Sequence, residues 1–85
     1  MDMVSVEFHD GSRNRVTDVQ IPLFLTASEL VAALTHAYDL PIRLEDSTQV
    51  YMRCENPIAF LAGPQTLETL GIANGTRIFF EPRNA

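Results

Sequence analysis

The stretch TASELVAALTHAY, residues 26–38, carries the clearest helical pattern in the chain and decides what the other segments must provide. Thr26 and Glu29 form a capping box, in which the hydroxyl accepts a first-turn N–H and the glutamate reaches back to the cap. Apolar side chains then recur at helical spacing, which predicts one buried stripe of Leu30, Ala33, Leu34 and Ala37. Pro41 closes the segment. A single helix with one apolar stripe needs a sheet to cover.

Alternating segments before the helix predict a β-hairpin. In MVSVEFH (3–9), one face carries Val4, Val6 and Phe8, and in RVTDVQI (15–21) one face carries Val19 and Ile21. The residues between them, HDGSRN at 9–14, are dense in turn formers. Pro22 has no N–H to donate to a ladder, so we expect the second strand to lie at a sheet edge or to end there.

The segments after the helix predict further strands joined by short turns. They are a third strand in QVYMRC (49–54), a short strand or turn in FLAG (60–63), a helical turn in TLETLGI (66–72) that stops at Gly71, a tight turn in ANG (73–75) and a last strand in TRIFFE (76–81).

This order of elements predicts an α+β fold in a single domain spanning residues 1–85. A hairpin followed by a helix that crosses to further strands gives a mixed sheet with the helix on one face. The β-grasp, or ubiquitin-like, arrangement of four or five strands is the best of the few candidates. The predicted core consists of Val4, Val6, Ile21, Leu30, Leu34, Leu67, Ile78 and Phe80.

Composition and charge argue against several function classes. The 85 residues carry a net charge of −5, and all six basic residues are scattered arginines. Such a chain lacks the basic patch that binds nucleic acid or anionic membranes. The start, MDMVSVEF, lacks the order of a signal peptide, and runs such as IAFLA (58–62) are too short to span a bilayer. We expect a soluble cytoplasmic protein that binds no nucleic acid and does not insert into a membrane.

The sequence does not indicate catalytic, metal or cofactor chemistry. His9 and His36 are the only histidines, and they lie on different predicted elements without a supporting cysteine or carboxylate pattern. Cys54, the single cysteine, shares a strand face with Val50 and Met52 and is interpreted as a core residue rather than a reactive thiol. We expect no enzyme activity, no metal and no cofactor.

The C-terminal half resembles a known family. FLAGPQTLETLGIANGTRIFF (60–80) is similar to the way ubiquitin superfamily members close their sheet, and the longer stretch 50–80 resembles the YukD/EsaB family. The residues that carry this resemblance are Tyr51, Arg53, Asn56, Gly63, Leu67, Gly71, Ile72, Asn74, Gly75 and Arg77. The family comprises small ubiquitin-like proteins encoded with bacterial type VII (Ess/Yuk) secretion systems. The resemblance implies a bacterial accessory or regulatory protein that binds a protein component of the secretion machinery non-covalently.

The tail PRNA (82–85) bears on conjugation. Ubiquitin and the sulfur carriers use a C-terminal Gly-Gly, because the tail threads into an activating enzyme and a side chain would block the approach. The chain contains no Gly-Gly. We therefore expect no covalent conjugation and disfavour a sulfur-carrier role, and we expect residues 82–85 to be dispensable. A generic ubiquitin-like adaptor unrelated to secretion stays open as the alternative.

Strand alternation predicts a protein-binding patch of Tyr51, Arg53, Arg77 and Phe79. The third and last strands are neighbours in a β-grasp sheet, and these are the side chains left on the face opposite the helix. Aromatic residues and arginine are enriched at binding hot spots, and such an arginine can pair with a partner carboxylate or stack on a ring. Cross-strand pairing alone would explain the same residues.

Two weaker possibilities accompany this patch. Phe24 is exposed beside the helix start if Leu25 packs beneath the helix, although a hydrophobic staple explains both residues equally well. An exposed aromatic patch on so small a domain is also compatible with weak self-association.

Overall fold

The computed structural model describes residues 2–41 and 52–81 of the chain. The predictions for Gln49, Val50 and Tyr51, and the expectation for the tail at 82–85, lie outside these described residues.

The elements form one mixed sheet with a main helix on one face. In chain order they are β1 (Met3–Asp10), β2 (Arg15–Pro22), α1 (Ala27–Ala37), β3 (Met52–Glu55), β4 (Ala59–Leu61), α2 (Leu67–Leu70) and β5 (Arg77–Phe80). The sheet has five strands in the order β2-β1-β5-β3-β4. The β1–β5 pair is parallel, and the other neighbouring pairs are antiparallel. This is the β-grasp architecture, and the α+β prediction is confirmed.

Helix α1 begins as predicted, and Leu30 and Leu34 are buried as predicted, but the rest of its buried face is shifted. Thr26 is the N-cap and completes the capping box with Glu29. The buried helix residues are Ala27, Leu30, Val31, Leu34 and Thr35. The predicted stripe was therefore wrong at Ala33 and Ala37, both of which are exposed. Rotating the helix toward Val31 buries a branched side chain in place of a methyl group, which removes more apolar surface from water.

The predicted core is confirmed. All eight of its residues are buried, and Phe8, Met52, Cys54, Leu61 and Ile72 join the same cluster. Gly71 ends α2 at φ 82°, a left-handed conformation that suits glycine, and its N–H donates to the carbonyls of Leu67 and Glu68. β2 lies at the sheet edge, as Pro22 indicated.

A cluster of hydrogen bonds around Asp10 and Arg13 connects the β1–β2 turn to the end of α1. Asp10 is buried, and its carboxylate accepts hydrogen bonds from Ser12 and from Arg13, whose Nη1 lies 3.1 Å from Oδ2. Arg13 also donates to the carbonyls of Tyr38 at 2.7 Å and Asp39 at 3.1 Å. Burial raises the pKa of Asp10, but the hydrogen bonds from Ser12 and Arg13 outweigh it and hold the pKa below its ordinary value.

This cluster predicts that the difference in free energy of unfolding between wild type and an Asp10 variant depends on pH. A lowered folded-state pKa contributes stability that is full above the ordinary value of 3.8 and is lost as pH falls through the folded pKa. Asp10→Asn will lower the free energy of unfolding by roughly 1–3 kcal/mol at pH 7, because it weakens charged hydrogen bonds at a buried site. Urea melts at neutral and acid pH will show this gap closing below about pH 4. The matched control Asp18→Asn, at an exposed β2 position, should change little. A gap of equal size at both pH values would show that the Asp10 charge contributes nothing.

Candidate protein-interaction face

The sheet face opposite α1, here called the open face, carries side chains that are exposed or half-buried throughout the described strands. Strand register aligns one residue from each strand into a continuous line. His9 pairs with Val16 and with Phe79, Phe79 pairs with Arg53, and Arg53 pairs with Phe60. We call this line, Val16–His9–Phe79–Arg53–Phe60, the aromatic row. It crosses the whole sheet, and its two ends are the most accessible, with Val16 57% and Phe60 62% exposed.

Phe79 lies at the centre of the aromatic row and is contacted from both sides. The centroid of the His9 ring lies 4.5 Å from that of Phe79, and Cζ of Arg53 lies 4.2 Å from the Phe79 centroid. The prediction that Phe79 is exposed was therefore wrong, because these two neighbours leave it half-buried. The arginine–aromatic contact is a cation–π arrangement, which stabilises the sheet and fixes the ring.

Arg53 is held by two carboxylates as well as by the ring. Its Nη1 donates to Glu55 at 2.7 Å, and its Nη2 and Nε donate to Glu81 at 2.6 Å and 2.9 Å. The hydrogen bonds to Glu81 and then Glu55 raise the pKa of the guanidinium. Arg53 was predicted to be available to a partner carboxylate, whereas it already donates three hydrogen bonds inside the chain.

A second line of aligned residues runs beside the aromatic row. Register places Glu7 between Asp18 and Arg77, and Arg77 opposite Glu55. We call Asp18–Glu7–Arg77–Glu55 the charged row. Arg77 is exposed, with Nε 3.9 Å from Glu7 and Nη1 3.7 Å from Glu55. These exposed pairs are worth little individually, in the range of about 0–1 kcal/mol.

The structure brings together three of the four predicted patch residues. Arg53, Arg77 and Phe79 share the open face, while Tyr51 lies outside the described residues. Three further members of this surface, His9, Val16 and Phe60, were not predicted from the sequence. Alternation against the buried Leu61 could have placed Phe60, but the alignment of His9 with Phe79 depends on the parallel pairing of β1 with β5.

A cleft of about 120 Å³ lies at the hairpin end of the open face, lined by His9, Arg15, Val16, Phe79 and Glu81 among others. Pockets for drug-sized ligands are larger, about 300–1,000 Å³. Beyond this cleft, the described face has exposed apolar side chains at Val16 and Phe60.

Phe24 stands as the weaker candidate. It is 59% exposed in the loop before α1, and Leu23 and Leu25 on either side pack partly against the core. Its exposure matches the expectation, and it provides a chemically matched comparison for Phe60.

Cys54 is buried in β3. Burial raises the pKa of the Cys54 thiol to about 11, although the charge of Arg53 lowers it by a smaller amount. No group of three or more potential metal ligands occurs within residues 2–41 and 52–81. None of the helices in the described segments is long and apolar enough to cross a membrane.

The raised pKa makes a labelling prediction. At pH 8 the folded protein will react with iodoacetamide at least ~100-fold more slowly than the denatured chain, because the thiolate is the nucleophile and its population is suppressed by burial. Mass spectrometry of quenched time points measures both rates. Comparable rates, with native circular dichroism throughout, would mean that the Cys54 thiol is accessible.

Solved structures place the fold among ubiquitin-like domains. That of tubulin-binding cofactor B has a TM-score of 0.70 and 13% identity over 92% of this chain and 87% of its own. A ubiquitin-like domain of an Arabidopsis thaliana protein has a TM-score of 0.67 and 19% identity, over 93% of this chain and 76% of its own. The C-terminal ubiquitin-like domain of mouse tubulin-specific chaperone e has a TM-score of 0.67 and 13% identity, over 98% of this chain and 92% of its own. At these identities the likeness shows the fold. No protein-family model and no curated protein sequence matches the chain.

Proposed function

We propose that this ubiquitin-like domain acts by non-covalent protein binding through its open face, without catalysis or conjugation. The observation that carries the proposal is the aromatic row, in which His9 and Arg53 fix Phe79 and leave apolar side chains accessible at both ends. Such a surface is prepared for binding, since a partner does not have to immobilise its central side chains.

We further propose that the partner is a protein component of a bacterial type VII secretion system and that binding takes place in the cytoplasm. The support is the resemblance of residues 50–80 to the YukD/EsaB family. That stretch supplies β3, β4 and β5, and therefore Arg53, Phe60, Arg77 and Phe79 of the open face. Tyr51 belongs to the proposed patch on the same resemblance and on strand alternation.

Affinity capture tests the proposed context. Tagged protein, expressed at its normal level in its own cells, is expected to co-purify a secretion component encoded beside it. Genes for a membrane ATPase and small WXG-type secreted proteins should be neighbours. Capture of proteins unrelated to secretion, with no such genes nearby, would favour the generic adaptor instead. A mass increase after incubation with an activating enzyme and ATP would favour a sulfur-carrier role.

A further inference from the structure

Among the residues that the structure describes, the open face carries more carboxylates than guanidinium groups. Four carboxylates, from Glu7, Asp18, Glu55 and Glu81, lie there with the guanidinium groups of Arg53 and Arg77, and Arg15 lines the cleft at the hairpin end. The side chains of Glu7, Glu55 and Glu81 remain 46%, 43% and 64% exposed even though they contact arginine. Each of these carboxylates can therefore accept a further hydrogen bond from a group outside the chain.

The arginines are poorly placed to attract an anion. Arg53 lies on the Phe79 ring between Glu55 and Glu81, and Arg77 lies between Glu7 and Glu55. A partner carboxylate approaching either guanidinium would meet at least two like charges within a few ångströms, and like-charge juxtaposition is a main source of partner rejection. A partner ammonium or guanidinium group could instead donate hydrogen bonds to the exposed carboxylate oxygens of Glu7, Glu55 and Glu81.

Apolar accessible surface lies directly beside this charge. Arg53 pairs with Phe60 on β4 in the aromatic row, and Glu55, two residues along β3 on the same face, belongs to the charged row. A ligand lying across these two strands would touch an aromatic ring and a carboxylate in adjacent positions.

We infer that the open face binds a protein segment in which lysine or arginine stands next to a bulky apolar side chain. This inference rests on the proposed function and names the chemistry of its partner. The apolar side chain packs on Phe60, and the cation is held by Glu55 and Glu81. An acidic segment is rejected by the same carboxylates.

A random 12-residue peptide display library is the probe. It is selected on the wild-type protein after depletion on the Phe60→Ser variant, which keeps every charge of the open face, so that only peptides requiring this face survive. We expect the survivors to be enriched in lysine or arginine beside apolar residues. Survivors enriched in aspartate or glutamate would overturn the inference while leaving the proposed binding face intact. If no peptide distinguishes wild type from the variant, both are overturned.

Single charge removal then tests the carboxylates directly. Glu81→Gln should weaken binding of a selected basic peptide by roughly 2- to 5-fold, the range expected for a surface ion pair. The matched variant Glu68→Gln, on α2 outside the sheet, should leave the affinity unchanged. Raising the ionic strength should weaken wild type more than Glu81→Gln, because salt screens exposed charges. Equal affinities for wild type and Glu81→Gln at low salt would contradict the assignment.

Discussion

Replacing Leu34 with alanine will lower the free energy of unfolding by about 2–5 kcal/mol, the largest effect on stability expected here. Leu34 is buried on the α1 face that covers the sheet, in one cluster with Leu30, Val6 and Ile78. Truncation removes apolar contacts and leaves a cavity that the neighbouring strands can fill only in part. Urea melts of wild type and variant measure the difference.

Ala33→Gln is the matched control on the same helix. Ala33 lies on the exposed side of α1, and glutamine is a good helix former, so the change should stay within about 0.5 kcal/mol. A loss below 1 kcal/mol at Leu34 would mean that this side chain is not packed against the sheet. A loss above 1 kcal/mol at Ala33 would mean that Ala33 lies on the buried face, as sequence periodicity predicted.

Removing both Arg53 and Phe60 will weaken capture of the partner by about 1–3 kcal/mol, or roughly 5- to 150-fold in Kd. Arg53→Ala removes the support of the Phe79 ring, and Phe60→Ser removes the exposed aromatic end of the row. Phe79→Ser is a less useful probe, because this ring is half-buried between His9 and Arg53 and its loss should also cost stability. Isothermal titration with the captured component measures the affinity.

Phe24→Ser provides the control for this loss of binding. It makes the same chemical change at a similarly exposed phenylalanine in the loop before α1. Circular dichroism should show both variants folded, and only the Arg53/Phe60 variant should lose affinity. A folded Arg53/Phe60 variant that binds like wild type would move the site away from the open face.

The fold could be predicted because its signals are local. Strand alternation, the capping box at Thr26 and Glu29, and the stop at Gly71 each depend on residues within a few positions of one another. The phase of the helix stripe could not be predicted in the same way. Periodicity is compatible with burial of either side of the Leu30–Leu34 line, the side with Ala33 or the side with Val31. Which side is buried depends on how well Val31 packs against the sheet.

The candidate site was only partly predictable for a related reason. Alternation placed Arg53 and Phe79 on one face, and β-grasp topology made their strands neighbours. The ion pair of Arg53 with Glu81 joins residues 28 positions apart, and the tilted ring contact of His9 with Phe79 joins opposite ends of the chain. Such contacts depend on exact register, which no local pattern specifies. Because of these contacts, Arg53 is already paired with Glu55 and Glu81, whereas it was predicted to be available to a partner.

Site-specific photo-crosslinking in cells tests the central claim most directly. A benzophenone amino acid replaces Phe60 in one variant and Phe24 in another, so that each keeps an aromatic ring at an exposed position. Irradiation of the position-60 variant should give an adduct that mass spectrometry identifies as a secretion component, and the position-24 variant should not. An adduct to that component from position 24 alone would contradict binding through the open face.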